Sequence, residues 1–514
     1  MTYQNGPLAQ AIQWEERKNY AKAFNAYQEL ANAGDMLAEY NLARCYEQGL
    51  GTSKDFATAF KHYKKSADNG VAQAHFRLGE WYEYGIYVGK LMPVAMRYYQ
   101  NSAQSGYVDA IAKMGAIYYY GLTVKVDYKL AFSWLTQSAN KGHAESQYLL
   151  GTMYNMGLSV QKDPFQAEFW WQKAVQQNHS MAMLELANMY YNRGTDADLQ
   201  KVLELTQKSA NLGNAKAMYN LGLFYNNGKV VKASPARAVY WLQRASNLGH
   251  VKAHYNLARL YFDGKGVKKD YGKAILLCKK SAEGGYDKAQ FLLGDIYSNG
   301  KIIKADFPKA FGWYQKAVEQ DYLPAITALA YLYEMGRGVK ANGVKAFELY
   351  KQAAERGHAT AQNALASFYN RGIVVDVNHA KALYWWQKAA EQGSARGQFD
   401  LAVCYYKGEG TAVDYEKAFY WYKKSAEKGY SEALYNVADC YYRGRGTRCD
   451  LAKAVEYWRK AGDAGCADGY YNLAYCYETG TYFAVNKQMA IKYYTQAQKC
   501  GHPTASSAIR RLCQ

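Results

Sequence analysis

Nine cysteines are the residues of this 514-residue sequence that could form disulfides, bind a metal or act as nucleophiles. Four of them, Cys45, Cys404, Cys440 and Cys476, share one position of a repeat described below, where another repeat carries Met153. Buried free thiols pack like small apolar side chains, and an odd number of cysteines cannot all pair within one chain. We therefore expect these four thiols in the core, without a metal or redox role.

Nine histidines could also bind a metal. Five of them directly follow a recurring, mostly glycine position and lie at least one repeat apart: His143, His179, His250, His358 and His502. Metal-bound nitrogen atoms lie about 2 Å from one ion, which side chains separated by a whole repeat cannot achieve. We expect no metal site.

Two Ser-x-x-Lys strings, Ser138–Lys141 and Ser425–Lys428, could supply the activated serine of a penicillin-recognising enzyme. No Lys-Thr-Gly string accompanies them, and both fall where other repeats read KSADNG or KSAEGG. The glycine-containing segments GKGVKKDYGK and GRGTRC lack both the spacing of a phosphate-binding loop and a preceding strand. We therefore expect no catalytic residue and no cofactor site, and we predict that the chain is not an enzyme.

A repeat of 36 residues must position any site. Its anchor recurs every 36 residues, with one step of 35, at Gly34, Gly70, Gly106, Gly142, Asn178, Gly213, Gly249, Gly285, Asp321, Gly357, Gly393, Gly429, Gly465 and Gly501. Twelve residues after each anchor except the last stands a tyrosine: Tyr46, Tyr82, Tyr118, Tyr154, Tyr190, Tyr225, Tyr261, Tyr297, Tyr333, Tyr369, Tyr405, Tyr441 and Tyr477. This column supplies 13 of the 52 tyrosines of the chain.

Each repeat is predicted to form two α-helices, because its apolar positions recur at intervals of three and four residues. The first helix should end at a glycine fifteen residues after the anchor, such as Gly49, Gly85 or Gly121. The second should begin fifteen residues before the next anchor, where Leu91 is the exception to a column of N-cap residues. These are Asp55, Asp127, Asp163, Asp198, Ser234, Asp270, Asp306, Asn342, Asn378, Asp414, Asp450 and Asn486.

The predicted fold is all-α: a right-handed α-solenoid, or superhelix, of 13 helix-pair repeats with half-repeat caps at both ends, since one helix pair cannot bury this much apolar surface. We expect N-terminal capping helices in residues 1–34 and a C-terminal capping half-repeat in residues 502–514. The repeats would span 35–70, 71–106, 107–142, 143–178, 179–213, 214–249, 250–285, 286–321, 322–357, 358–393, 394–429, 430–465 and 466–501.

The repeat resembles the Sel-1-like repeat, a relative of the tetratricopeptide repeat. The segments Ala253–Gly285 and Gly397–Gly429 carry its pattern of A-x-x-x-L-G/A-x-x-Y-x-x-G-x-G, then D-x-x-K-A, then K-A/S-A-x-x-G. The pattern is weakest at 179–213, where one residue is missing, and at the loop 85–93. The resemblance implies a scaffold or adaptor that holds other proteins together, with a bacterial origin by analogy; an immunity, chaperone or host-interaction protein would be one version. Many members are secreted and disulfide-bonded, a pattern that this sequence does not follow.

The charge leaves two types of partner open. The net charge is +19; residues 1–250 contain 25 basic and 19 acidic residues, and residues 251–514 contain 38 and 25. An acidic protein or a nucleic acid is therefore a plausible partner, although lysines spread over a solvated outer face would give the same count. With no signal peptide and no apolar membrane span, we expect a cytoplasmic protein without membrane insertion, monomeric until it binds its partner.

The candidate binding site is a polar stripe, which we define as the residues three, seven, ten and fourteen positions after each anchor, on one face of the first helix. Helical repeats of this kind usually turn that face into a concave groove. The candidate partner-binding residues are Lys216, Asn220, Asn227, Lys252, Asn256, Arg259, Lys288, Asp295, Asn299, Asn436, Asp439, Arg443, Asn472 and Tyr475. An asparagine side chain can donate to and accept from a peptide backbone, although asparagine could equally be the residue typical of this repeat there.

The main functional hypothesis is thus a non-catalytic scaffold that binds a partner protein or an extended peptide in this groove. The alternative is an RNA-binding or polyanion-binding helical repeat protein, which the near-36 period and the positive net charge suggest. The stripe, however, mixes acids, amides and apolar residues without the repeating code of RNA-reading repeats.

Overall fold

A computed structural model describes residues 6–514 and contains 29 α-helices and no β-strand in that range. The first fourteen are α1 (Pro7–Glu16), α2 (Tyr20–Asn32), α3 (Met36–Gln48), α4 (Phe56–Asp68), α5 (Ala72–Tyr84), α6 (Met92–Gln104), α7 (Val108–Tyr120), α8 (Tyr128–Asn140), α9 (Ala144–Met156), α10 (Pro164–Gln176), α11 (Ser180–Arg193), α12 (Asp196–Asn211), α13 (Ala215–Asn227) and α14 (Pro235–Asn247). Residues 1–5 of the predicted N-terminal cap lie outside the described range.

The other fifteen are α15 (Val251–Asp263), α16 (Tyr271–Glu283), α17 (Asp287–Asn299), α18 (Phe307–Glu319), α19 (Leu323–Met335), α20 (Gly343–Glu355), α21 (Ala359–Arg371), α22 (His379–Glu391), α23 (Ala395–Lys407), α24 (Tyr415–Ala426), α25 (Ser431–Arg443), α26 (Leu451–Asp463), α27 (Ala467–Thr479), α28 (Lys487–Lys499) and α29 (Ala505–Cys513). From α3 to α28 the odd-numbered helices are the first helices of the repeats and the even-numbered ones are the second. The helix pairing predicted from the repeat is confirmed.

The chain divides into two compact units. Within the described residues, one comprises 6–253 together with 265–268, and the other comprises 254–264 together with 269–514. Each unit is a succession of helix pairs with its own apolar clusters. No helix within residues 6–514 is both long enough and apolar enough to cross a membrane.

The column of N-cap residues starts the second helices as the sequence predicts, with one error. Asp55, for example, accepts a hydrogen bond from the Thr58 backbone N–H, while Leu91 makes no capping bond. Asp198 was wrongly predicted as an N-cap. It lies in the first turn of α12, where Thr195 accepts from the Asp198 N–H and donates its hydroxyl to Asp198 Oδ2 at 2.6 Å. This N-cap lets the helix begin earlier in the shortened repeat.

The anchor needs a left-handed backbone. Gly34 has a φ of 94°, and the two anchors that are not glycine, Asn178 and Asp321, have a φ of 60° each. Asn and Asp tolerate this region better than other side chains. The conformation lets the chain leave the second helix and turn directly into the next repeat.

Small residues allow the two helices of a repeat to approach each other closely. A Cβ atom added to Gly79, nine residues after its anchor, would come within 2.6 Å of the Tyr99 ring. Tyr99 stands seven residues before the next anchor, where other repeats carry Leu135 or Trp171, and all three side chains are buried. The ring from the second helix therefore fills the space that the small residue leaves on the first.

Ring contacts connect consecutive repeats within each unit. The aromatic residue six positions after one anchor packs on the ring that directly follows the next anchor, as in Tyr148–His179 at 4.9 Å and Tyr471–His502 at 3.9 Å between ring centroids. His179 Nδ1 also accepts a hydrogen bond from the Ala182 N–H and caps α11. Histidines after the anchor thus combine stacking with helix capping.

A cation covers the tyrosine column in every repeat from 179–213 to 430–465. Lys417 Nζ lies 5.4 Å from the Tyr405 ring centroid and 3.1 Å from Asp414 Oδ2, the N-cap of the same helix. The other pairs are Lys201–Tyr190, Arg237–Tyr225, Lys273–Tyr261, Lys309–Tyr297, Lys345–Tyr333, Lys381–Tyr369 and Lys453–Tyr441. Cation–π contact therefore gives much of the excess positive charge of residues 251–514 a structural role.

Candidate functional site

The polar stripe lies on the first helices, and pockets open along it. Its four positions are partly or fully exposed in most repeats, whereas the positions that face the second helix are buried. Three of the four pockets described below are lined by stripe residues from two successive first helices of one unit, and the fourth by stripe residues of α3 together with residues of α1.

The largest of these pockets, about 530 Å³, lies between α15 and α17. It brings together four predicted residues: Arg259, Lys288, Asp295 and Asn299. Tyr314 donates a hydrogen bond to Asp295 Oδ1 at 2.6 Å. Burial raises the pKa of the Asp295 carboxyl, and the bond from Tyr314 opposes that rise. The pocket thus offers two cations at its surface and a half-buried acid inside.

A second pocket, about 240 Å³, lies between α21 and α23 and includes Trp386 of α22; we call it the Trp386 pocket. Asp400 lines it, with Oδ2 3.6 Å from Arg396 Nε. Burial raises the pKa of the Asp400 carboxyl to about 6, although Arg396 and Asn363 act in the opposite direction. The charge of Asp400 therefore depends on pH around pH 6 in this pocket of the stripe.

A third pocket, about 200 Å³, lies between α25 and α27 and includes Trp458 of α26; we call it the Trp458 pocket. It unites another four predicted residues: Asp439, Arg443, Asn472 and Tyr475. Arg443 Nε donates to Asp439 Oδ1 at 2.6 Å, and Asn472 Nδ2 donates to Tyr435 Oη at 3.5 Å.

The fourth pocket, about 420 Å³, belongs to the N-terminal unit and lies between α1 and α3. Arg44 Nη2 forms an ion pair with Glu15 Oε1 at 2.9 Å, and Tyr27 donates to the other oxygen of Glu15 at 2.7 Å. The neighbouring Asn41 is a stripe residue. Glu15 and Ile12 of α1 close the end of the stripe.

Six predicted residues lie outside these pockets. Lys216 is exposed, with Nζ 3.8 Å from Glu185 Oε1, and Asn436 donates to the Glu432 carbonyl of its own helix. Asn220 and Asn256 are half-buried, and Asn227 and Lys252 are exposed. The structure therefore gathers eight of the fourteen candidates into two pockets and leaves the rest between them or beside them.

Aromatic side chains form much of the pocket walls, and the sequence reasoning missed them. Tyr255, Phe291 and Tyr322 line the largest pocket, and the two tryptophans line the smaller ones. The sequence does place these rings at fixed distances from the anchors. Because most aromatic residues at those positions only pack in the core, their position in the repeat does not distinguish the rings that line a pocket.

Five of the nine cysteines, and the serines of both Ser-x-x-Lys strings, are buried in the packing, whereas Cys449, Cys500 and Cys513 are exposed. Burial raises the pKa of Cys45, Cys278, Cys404 and Cys440 to about 12, and that of Cys476 to about 11. Ser138 Oγ bonds to Ser146 Oγ at 2.7 Å, and Ser425 Oγ donates to the Ala395 carbonyl at 2.7 Å. Across residues 6–514 no cluster of three or more His, Cys, Asp or Glu side chains is arranged to hold a metal ion.

Comparison with known proteins identifies the repeat. The model of the Sel1 repeat matches residues 37–71, 72–107, 108–143, 144–179, 180–214, 215–250, 251–286, 287–322, 323–358, 359–394, 395–430, 431–466 and 467–502. The chain is similar to a protective antigen present in uropathogenic Escherichia coli strains that displays an SLR fold, with 28% identity, a TM-score of 0.56 and coverage of 95% of this chain and 97% of that one.

It is also similar to a Sel1 repeat protein from Oxalobacter formigenes, with 29% identity, a TM-score of 0.48 and coverage of 58% and 87%. An immunity protein from Pseudomonas aeruginosa has 25% identity, a TM-score of 0.29 and coverage of 41% and 81%. No curated protein matches the chain. Since the family model matches thirteen consecutive segments from residue 37 to residue 502, the chain belongs to the Sel1 repeat family.

Proposed function

We propose that the chain is a non-catalytic scaffold that binds a partner protein, or an extended segment of one, along the polar stripe. Proteins built from Sel1 repeats are generally scaffolds for protein interactions. The observation that carries the proposal for this chain is the position of the pockets, which open on the stripe predicted from the sequence.

The side chains in these pockets suit a protein partner. Tryptophan, tyrosine and arginine contribute most to the binding energy of protein interfaces. All three residue types line the Trp458 pocket, tryptophan and arginine line the Trp386 pocket, and tyrosine and arginine line the pocket between α15 and α17. Amides and charges of both signs accompany them. Such a surface can pair with both the donors and the acceptors of a peptide.

The second candidate function is binding of RNA or another polyanion, which the net charge of +19 suggests. The affinity for a phosphate backbone grows with the number of cations that contact it, so a continuous cationic path would favour such binding. Asp295, Asp400 and Asp439 interrupt such a path on the stripe, and the lysines of the second helices contact tyrosine rings and N-cap carboxylates. These contacts favour the protein partner.

The test compares two variants that remove the same charge. The stripe variant is Arg259→Ala, Lys288→Ala, Arg443→Ala and Tyr475→Ala, all exposed residues. The control variant is Lys279→Ala, Lys351→Ala, Lys424→Ala and Tyr420→Ala, exposed on second helices. Each variant and the wild type are immobilised and incubated with native lysate, before and after nuclease treatment of the lysate. The bound material is analysed for nucleic acid and, by mass spectrometry, for protein, and each recovered protein is purified and titrated alone.

We expect a protein that binds the wild type and the control variant directly, and the stripe variant at least tenfold more weakly. Recovery of nucleic acid alone before nuclease treatment would favour the second candidate. Equal binding to the stripe variant would refute the proposed surface. If the expected partner is found, its identity would decide whether the protein acts as an immunity, chaperone or host-interaction protein, and whether it acts in the cytoplasm.

A further inference from the structure

The Trp386 and Trp458 pockets are two copies of one site. Adding 72, two repeat lengths, to eight residues of the first pocket gives eight residues of the second. The pairs are Ser367–Asp439, Asn370–Tyr442, Arg371–Arg443, Trp386–Trp458, Asp400–Asn472, Val403–Tyr475, Cys404–Cys476 and Glu409–Thr481. Arginine, tryptophan and cysteine are identical in both, so the two pockets share a cation at the rim and an indole in the wall.

The indole nitrogen of each pocket lacks a partner. Trp386 is 6% exposed and Trp458 is 4% exposed, and neither Nε1 donates a hydrogen bond to any part of residues 6–514. The same repeat position is satisfied elsewhere: Trp171 Nε1 donates to the Tyr148 carbonyl at 3.1 Å, and Tyr350 donates to Glu334 at 2.8 Å. Buried donors are normally paired, so these two exceptions point to an acceptor that comes from a ligand.

An acceptor with spare capacity stands seven residues after the anchor in both pockets. Asp400 Oδ2 is buried and makes no hydrogen bond, although it forms an ion pair with Arg396 Nε at 3.6 Å, and Oδ1 of the adjacent Asn363 is buried without a hydrogen-bond partner. In the other pocket Asn472 uses its Nδ2 group to bond Tyr435 Oη, which leaves its Oδ1 outside that bond. Each pocket therefore combines an indole donor with a side-chain oxygen.

We propose that these two pockets are equivalent subsites that each bind one carboxamide side chain, asparagine or glutamine, of an extended partner peptide. The guest carbonyl accepts from the indole N–H, and the guest NH2 group donates to Asp400 or Asn472. This inference rests on the proposed function, because it assigns the chemistry of the segment that the stripe binds.

Other guests fit less well. A carboxylate would be attracted by Arg371, Arg396 and Lys407 in one pocket and by Arg443 in the other, but it has no proton to donate to the side-chain oxygen of Asp400 or Asn472. An ammonium group cannot accept from the indole, and an aliphatic group leaves it unpaired. The guest side chain has to pass exposed side chains at the rim of each pocket. Lys407 and Arg443 are 58% and 52% exposed there, and their surface ion pairs are weak, so these side chains can move aside.

The two subsites set a spacing in the partner. Packed helices lie about 8–10 Å apart, so two repeats advance the site by about 20 Å along the stripe. An extended chain rises about 3.3 Å per residue. The two carboxamides should therefore be about six residues apart in the peptide.

The experiment selects a phage library of random 12-residue peptides on the immobilised full-length protein. The Trp386→Phe/Trp458→Phe double variant keeps both aromatic rings and removes both donors. The control is Tyr422→Phe, which occupies the same repeat position between the two pockets but lines neither of them. Thermal unfolding of both variants checks that they fold.

We expect the wild type and the Tyr422→Phe variant to enrich peptides with two Asn or Gln residues five to seven positions apart. The double variant should bind these peptides at least tenfold more weakly. In protein labelled with 15N-tryptophan, such a peptide should shift the indole signals of Trp386 and Trp458, assigned from the single variants, and leave that of Trp171 unchanged.

Two failures are distinguishable. Enriched peptides that bind the stripe but lack the carboxamide pair, or that carry an acidic or aliphatic pair at this spacing, overturn the inference and leave the proposed function standing. Indole signals of Trp386 and Trp458 that do not shift when such a peptide binds would also overturn the inference and leave the proposed function standing. If the stripe variant with Arg259, Lys288, Arg443 and Tyr475 replaced enriches and binds the same peptides as the wild type, the proposed function itself fails.

Discussion

Replacing Asp400 by asparagine should stabilise the protein at neutral pH. Burial raises the pKa of this carboxyl from 3.8 to about 6. The native state therefore holds a proton that the unfolded state releases between about pH 4 and pH 6, so the free energy of unfolding falls as the pH rises through that window. A rise of about two pKa units corresponds to about 3 kcal/mol, and the side chain is 19% exposed, so screening by solvent is limited.

The Asp400→Asn variant removes this cost, and its new NH2 group can donate to the unpartnered Asn363 Oδ1. We expect a gain in unfolding free energy of up to about 3 kcal/mol at pH 7 and little change at pH 4. Because helical repeats open in parts, the measurement is native-state hydrogen exchange in α21–α24, supported by urea titrations between pH 4 and pH 7.5. Asp439→Asn is the control, since it loses an ion pair with Arg443. A variant that is destabilised at pH 7, or that keeps the wild-type pH slope between pH 4 and pH 6, would refute the reasoning.

Three further predictions concern stability. Glu47→Ala should cost about 3–5 kcal/mol in urea unfolding, because Glu47 is 5% exposed and accepts from Tyr63, Trp81 and Arg77; a cost below about 1 kcal/mol would contradict the burial of this network. Leu91→Asp should gain about 1 kcal/mol in thermal unfolding by capping α6, and Asp127→Ala, the reverse change at the equivalent position, should lose a similar amount. Burial lowers the pKa of His143, so the unfolded state binds more protons and stability falls as the pH drops below about 6.5. His143→Asn, which can still cap α9, should flatten this slope in titrations from pH 7.5 to pH 5; an unchanged slope would assign it to other groups.

Most of the fold could be predicted because every repeat carries the same local signals. Apolar periodicity, a C-terminal glycine and an N-cap residue agree in nearly all repeats, and such agreement fixes helix boundaries. The prediction was wrong at Asp198, because the deletion in residues 179–213 lets Thr195 form a competing cap. A period of 36 shows where a residue stands in the repeat, but a local insertion or deletion changes which side chain reaches the backbone.

The site was less predictable, for a physical reason. The exposed face of the first helix follows from periodicity, and eight candidates from that face line pockets. Two of the pockets are also lined by the side chain that the second helix inserts seven residues before the anchor, Trp386 in one and Trp458 in the other. Trp386 and Tyr350 occupy that position equally well as packing residues, and only the three-dimensional arrangement shows that Tyr350 has a hydrogen-bond partner and Trp386 has none.

The most direct test of the central claim is a hydrogen-exchange footprint of the full-length protein with its purified partner bound. Because the stripe lies on the first helices, we expect protection concentrated in α15, α17, α21, α23, α25 and α27, with Arg259, Asp400 and Asn472 inside the protected segments. Protection confined to the second helices, such as α16, α18 and α24, would show that the partner does not bind the stripe and would place the interaction on the lysine-bearing face of the second helices.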